Sequence, residues 1–183
     1  FRIGRKMFFE GNIAISTTSE QQKSFWMELG IKSRCIQTVG NMKMDTEHFI
    51  ETSKNKRELL RKEFGFPSDS IVLAGVSTWP TDEKLLLQTT LELRKEGKDV
   101  RLLIIPRHAE RRHEILKSVS ATNLKHQLRT ASYTSSEDHV IYIADTTGEL
   151  TKIILAADIG LIGKTLSPHY GGQNPIEPIS IGL

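Results

Sequence analysis

From residue 70 onwards the chain alternates between two patterns, and few architectures can hold both. "SIVLAGV" (70–76), "VRLLIIP" (100–106), "HVIYIAD" (139–145) and "IGLIG" (159–163) are short, nearly continuous apolar runs. Between them stand "TDEKLLLQTTLELRKEG" (81–97), "AERRHEILKSV" (109–119) and "GELTKIILAAD" (148–158), which read as helices; Gly97 follows the first of them. A strand without a polar face has to be covered on both sides, as strands of an all-parallel sheet are. Strands alternating with helices achieve that cover. The expected fold is therefore α/β: a Rossmann-like parallel sheet with helices on both faces. The segment 120–138 is polar and fits neither pattern.

The part before residue 70 reads as a separate piece. "NIAIS" (12–16) is a short strand, and "TSEQQKSFWMELG" an amphipathic helix with Phe25, Trp26 and Leu29 on one face. Thr18 or Ser19 can cap its start, and Gly30 closes it. "CIQTVG" (35–40) is a second strand. "NMKMDTEHFIETSKN" is polar and reads as a connector, and "KRELLRKEFGF" as a short basic helix ended by Gly65.

Composition limits the partners. The net charge of +3 with a pI near 9.0 suits an anionic ligand or membrane face, and is too small an excess to mark a nucleic-acid binder. The single cysteine, Cys35, rules out an internal disulfide framework. No apolar run reaches the length of a membrane span. The start at Phe1, in the basic "FRIGRK", and the stop at "SIGL" read as the ends of a fragment.

In open parallel sheets a ligand lies outside the carboxyl ends of the strands. The loops expected there are "STWPTDE", "PRHAER", "DTTGEL" and "GKTLSPHYGGQNPIEP", and nearly every chemically interesting residue falls in them. Ser77 and Thr78 can hold a phosphate or simply cap a helix. Arg107 can fork onto a phosphate or carboxylate, with His108 donating beside it. Arg111 and Arg112 read as solvated helix residues. Thr147 and Gly148 offer amides for a base or phosphate, or form a plain capped turn. Lys164 brings a cation to the same crevice. Gly171 and Gly172 leave amides uncovered. Asn174 reads as an N-cap, with Pro175 in the first helical position. Glu177 in that first turn can accept from the two hydroxyls of a ribose. The histidine spacing is poor for zinc, so no metal is expected.

"VGNMKMD", "GVSTWPTDE", "LLIIPRHAER", "DTTGEL" and "GGQNPIEP", in this order, resemble the 3-deoxy-D-manno-octulosonic acid (Kdo) transferases of lipopolysaccharide synthesis, from about residue 12 to the end. The resemblance implies a GT-B glycosyltransferase, with two Rossmann-like domains and a cleft between them. Residues 1–45 would be the tail of the acceptor-side domain and linker. Residues 46–183 would be the CMP-Kdo binding domain, incomplete at its C-terminus. The parent enzyme would transfer Kdo from CMP-Kdo to a lipid A precursor with inversion, at the cytoplasmic face of the inner membrane, without a cofactor. Its general base would lie upstream of Phe1, so no catalytic base is expected in this chain. Arg107 and Lys164 would stabilise the leaving group. Ser77 and Thr78 would approach the donor, Arg107 would contact its anionic groups, Gly171, Gly172 and Asn174 would form the phosphate-side loop, and Glu177 would hold the ribose. His108, Thr147 and Gly148 join the donor-binding set on the reading of their loops alone.

The chain departs from that family pattern at Thr81-Asp82-Glu83, where Gly-Glu-Glu is common, at Gly163-Lys164-Thr165 for Gly-Gly-Ser, and at Gln173 for His. Besides a purely structural interaction domain, for which four polar sheet-edge loops would be out of place, two other readings stand beside it. One is a GT-B enzyme using a UDP-sugar. The other is a nucleic-acid binding module built on "RHAERRHEILK" and "KRELLRKEF". The latter lacks aromatics between its basic residues.

Overall fold

β4 (Val100–Pro106) is buried at every position, as its unbroken apolar run requires. Its side chains divide between two cores: Leu103 and Ile105 enter one, Leu102 and Ile104 the other. That is the period of two that a strand imposes, and it shows cover on both faces. The structure is a computed structural model and describes residues 14–41, 54–131 and 138–183. It divides into two compact units, Phe1–His48 and Phe49–Leu183.

In the first unit, β1 (Ile15–Thr17) runs parallel to β2 (Ile36–Thr38), with Ile15 opposite Ile36. Between them lies α1 (Glu20–Glu28), where Ser19 Oγ accepts from the Gln22 N–H at 3.2 Å. The expected cap is therefore Ser19. No residue of α1 is buried, and Phe25 is 57% exposed. Residues 12 and 13 of the expected first strand, and most of the connector, lie outside the described residues.

The second unit opens with α2 (Lys54–Glu63). Then follow β3 (Ile71–Thr78), α3 (Pro80–Lys95), β4, α4 (Arg112–Ser120), β5 (His126–Leu128), β6 (Ile141–Ile143), α5 (Leu150–Ile153), β7 (Ile159–Ile162) and α6 (Ile176–Ser180). The five strands form one parallel sheet in the order β5-β6-β4-β3-β7. On one face, Leu60, Phe64 and Phe66 from α2 and just beyond pack with Val72, Val76, Tyr142, Ile153 and Ile154. The Phe64 and Tyr142 rings stack with centroids 4.2 Å apart. On the other face Leu86, Leu87, Ile115 and Val119 cover Leu73, Leu102, Ile141 and Ile143. Each such aliphatic side chain contributes about 1.5–3 kcal/mol on burial.

Two elements differ from expectation. β5 lies inside the segment 120–138 and pairs only with β6. The helix expected over 148–158 is one turn, α5, continuing as a 3-10 turn at Ile154–Ala156. The β-branched pair Ile153-Ile154 is stiff in a helix, and Asp158 is engaged elsewhere. The Asp158 carboxylate accepts from the Val72 N–H at 2.7 Å, from Arg61 at 2.6 Å and from Arg57. Arg61, buried, also donates to the carbonyls of Ser68, Ser70 and Ala156. This clamp holds the amino ends of β3 and β7, leaving their carboxyl ends for other work.

Candidate functional site

The strand order reverses between β3 and β7, because β4, β6 and β5 all extend the sheet from the other side of β3. Such a reversal leaves a crevice at the carboxyl ends of the two strands. β3 ends there in a register shift against β4, between Val76 and Thr78. Ser77, at the shift, takes φ +54°, and Lys164, just past β7, takes φ +65°. Among the described residues only one other non-glycine, Asn123, has a positive φ. Strained backbone of this kind clusters at functional sites.

Asp82, in the first turn of α3 and 1% exposed, ties these two strand ends together. Its Oδ2 accepts from the Trp79 N–H and from the Lys164 N–H, each at 2.9 Å. Gly163 lets the strands approach: a Cβ there would lie 2.1 Å from the Ser77 carbonyl oxygen. The chain then folds back, with the Gly172 N–H donating to Lys164 O and the Gln173 N–H to Gly163 O, both at 2.9 Å. Gly171 takes φ +110°, which no β-carbon would tolerate easily although space surrounds it.

Thr78 is fully buried, and its hydroxyl donates to Glu83 Oε1 at 2.9 Å. Glu83 in turn accepts both arms of the Arg111 guanidinium at 3.0 Å. Arg111 is thus not the solvated helix residue expected: its side chain is 17% exposed and it closes a buried ion pair. Burial alone would lower the Arg111 pKa, but hydrogen bonds and charge from Glu83 outweigh it and raise it. Arg112 is half-exposed, as expected, 4.0 Å from Asp145.

Arg107 is exposed at the end of β4, its N–H donating to Thr78 O at 3.2 Å, which sets it beside the end of β3. His108 is exposed and lies 3.3 Å from Glu110. The indole of Trp79 joins three of the loops. Its ring centroid is 5.7 Å from that of His108 and 4.5 Å from that of His169, and Lys164 Nζ lies 5.8 Å from it. Trp79 and His169 were not among the expected site residues. The available signal was a tryptophan placed between a strand end and a helix-starting proline.

Thr147 and Gly148 are exposed after β6, with Gly148 at φ +81°. Gly148 and Thr151 border a groove of about 560 Å³ against Leu59 and Leu60 of α2. Glu177, in the first turn of α6, accepts from Thr151 Oγ1 at 3.4 Å. α6 begins one residue later than expected: Pro175 is its N-cap, and Asn174 Oδ1 accepts from the Ile176 N–H at 3.2 Å in a local turn. Ser77, Thr78, Arg107, His108 and Lys164 therefore gather around the crevice, and the loop 171–177 runs from it towards the β6 side. Glu149 is not free for a ligand. Hydrogen bonds from Arg129, and then from Thr146, hold its carboxyl down at about 2.

An open parallel sheet with its polar loops at the order reversal belongs to the doubly wound class of α/β domains. It superposes on the C-terminal CMP-Kdo binding domain of WaaA from Acinetobacter baumannii with a TM-score of 0.60 and 22% identity, covering 70% of this chain and 66% of that one. The fold is that of a GT-B carboxy-terminal domain. In sequence the chain is 31% identical over 182 residues to the 3-deoxy-D-manno-octulosonic acid transferase of Chlamydophila psittaci, covering 100% of this chain and 40% of the relative. The identity is 30% to that of Chlamydia muridarum and 28% to that of Rickettsia bellii, covering 97% and 94% of this chain and 40% of each relative. No family model matches. The chain is related to the Kdo transferases along its whole length, and it spans about 40% of the length of these relatives.

Proposed function

We propose that this chain is the donor-binding part of a Kdo transferase, holding CMP-Kdo while Kdo passes with inversion to a lipid A precursor at the cytoplasmic face of the inner membrane. One observation carries the proposal: Ser77 and Lys164, both in left-handed backbone, meet at the strand-order reversal under the Asp82 clamp. The homology to Kdo transferases names the ligand that such a crevice would take.

In this arrangement Arg107 meets the phosphate, and its fixed charge stabilises CMP as it departs. The Ser77–Thr78 turn and the start of α3, a sixteen-residue helix, add amides and a favourable dipole. The loop through Gly171, Gly172 and Asn174 lines the nucleotide, and Glu177 accepts from the ribose hydroxyls beside Thr147 and Gly148. Lys164 adds a second positive charge to the crevice. Deprotonating the acceptor hydroxyl needs a general base, a role assigned to the acceptor side of the transferase and to no residue of this chain.

Calorimetric titration of the chain with CMP and with UMP tests the proposal. CMP is expected to bind and UMP to bind at least tenfold more weakly, with Arg107→Ala and Glu177→Gln each weakening CMP about tenfold or more. Equal binding of the two nucleotides would count against a cytidine donor, and tighter binding of UMP would favour a UDP-sugar enzyme. DNA binding with a steep salt dependence and indifference to CMP would overturn the proposal.

A further inference from the structure

The donor named above carries two anionic groups. One is the phosphate of CMP and the other is the carboxylate of the octulosonic acid. Arg107 and the helix amides account for the phosphate, and the structure holds a second set of donors, of which Lys164 has so far been given only a general charge in the crevice and Trp79 no part.

That set centres on Trp79. Its Nε1 is closed to solvent and has no hydrogen-bond partner among the described residues. A buried N–H without an acceptor costs about 1–3 kcal/mol, and each such group calls for a reason. The ring packs on His169 at 4.5 Å, and Lys164 Nζ lies 5.8 Å from its centroid. The acids of the rim are already committed: Asp82 to two backbone N–H groups, Glu83 to Thr78 and Arg111, and Glu110 near His108. The Lys164 ammonium rests by the indole face, a weak cation–π contact, while its backbone takes the left-handed conformation that glycine would adopt without strain. A cation on strained backbone beside an unused indole donor suits a compact anion.

We propose that Lys164 and Trp79, with His169 fixing the indole, form a carboxylate subsite that reads the acid group of the sugar, apart from the phosphate site. The subsite rests on the donor-binding function proposed above. When the ligand arrives, the ammonium leaves the ring face for the carboxylate, and with that movement Nε1, closed to solvent in the free chain, opens to the carboxylate as its acceptor. Trp79 and Lys164 are then specificity determinants for an acidic sugar over a neutral one.

Parallel calorimetric titrations of the full chain with CMP and with CMP-Kdo test it, through the ratio of the two affinities. Wild type is expected to prefer CMP-Kdo. Lys164→Gln should reduce that preference about tenfold or more, and Trp79→Phe, which keeps the ring and removes the N–H, severalfold. Lys164→Gln alters a partly exposed side chain, so it reads the subsite even if Trp79→Phe lowers the melting temperature. A variant that weakens both ligands equally would assign these residues to the phosphate and overturn the subsite. An unchanged ratio in both variants would overturn it too. If wild type binds neither ligand, the donor-binding function falls and the subsite with it. If wild type binds CMP and shows no preference for CMP-Kdo, the subsite alone falls.

Discussion

At the scale of single residues, the crevice depends on side chains whose charge is balanced close by. Glu83 is the clearest case, 4% exposed and held by the Thr78 hydroxyl and both arms of Arg111. Removing one partner of a buried pair strands the other charge, at a cost of about 3–5 kcal/mol, whereas a solvated surface residue changes stability by about 0.5 kcal/mol or less. Arg111→Met is therefore expected to lower stability by about 3 kcal/mol, the lower end because the Arg111 side chain is 17% exposed. A second change, Glu83→Gln, in the Arg111→Met background should recover part of that loss, since it removes the stranded charge. Urea midpoints of the three proteins check both statements. A loss below about 0.5 kcal/mol would return Arg111 to the solvated helix face that its sequence suggests.

At the scale of elements, legibility followed burial. β3, β4 and β6 showed in the sequence because a strand covered on both faces has to be apolar throughout, and their ends matched within two residues. β5 did not show, because "HQL" is a three-residue edge strand with no apolar run. Ser77, Lys164 and Gly163 lie where the loop positions indicated, but their backbone angles and the Asp82 clamp are tertiary. Arg111 looked like a solvent-facing basic residue and Arg61 like one more charge of a basic helix, since a helical repeat cannot reveal a carboxylate folded against it from far along the chain. The same holds for Arg129, from the unassigned polar segment. It joins Glu63 of α2, Tyr142 of β6 and Glu149 before α5. The Glu149 carboxyl falls from 4.5 to about 2, chiefly through Arg129. A lowered folded value means that this contact stabilises the protein above about pH 4.5, and that the gain is lost as the pH falls towards 2. Glu149→Gln should lower the melting temperature at pH 7, with the difference from wild type shrinking between pH 4.5 and 2. The partial exposure of Glu149 keeps the effect small. A difference that stayed constant across that range would detach the contact from the Glu149 charge.

At the scale of the whole molecule, the two units differ in how much they bury. Among the described residues of the first unit only Thr17 and Ile36 are buried, whereas the second holds two apolar clusters on either side of a five-stranded sheet. Among its described residues the first unit is a two-stranded ribbon with one helix, which is marginal alone, so the first unit is expected to melt at the lower temperature. The two tryptophans make this testable, because Trp26 belongs to the first unit and Trp79 to the second. In Trp79→Phe the remaining fluorescence follows the first unit, and in Trp26→Phe it follows the second. A ligand stabilises only the part that binds it, by about 2.7 kcal/mol at a hundred times its dissociation constant. For a domain of this size that shifts the melting temperature by roughly 5–10 °C. Saturating CMP is therefore expected to raise the Trp79 transition by that amount and leave the Trp26 transition where it was. If both transitions rise together, the two units melt as one body or share the nucleotide. If only the Trp26 transition rises, the nucleotide site lies in the first unit and the crevice between β3 and β7 is not where the donor binds.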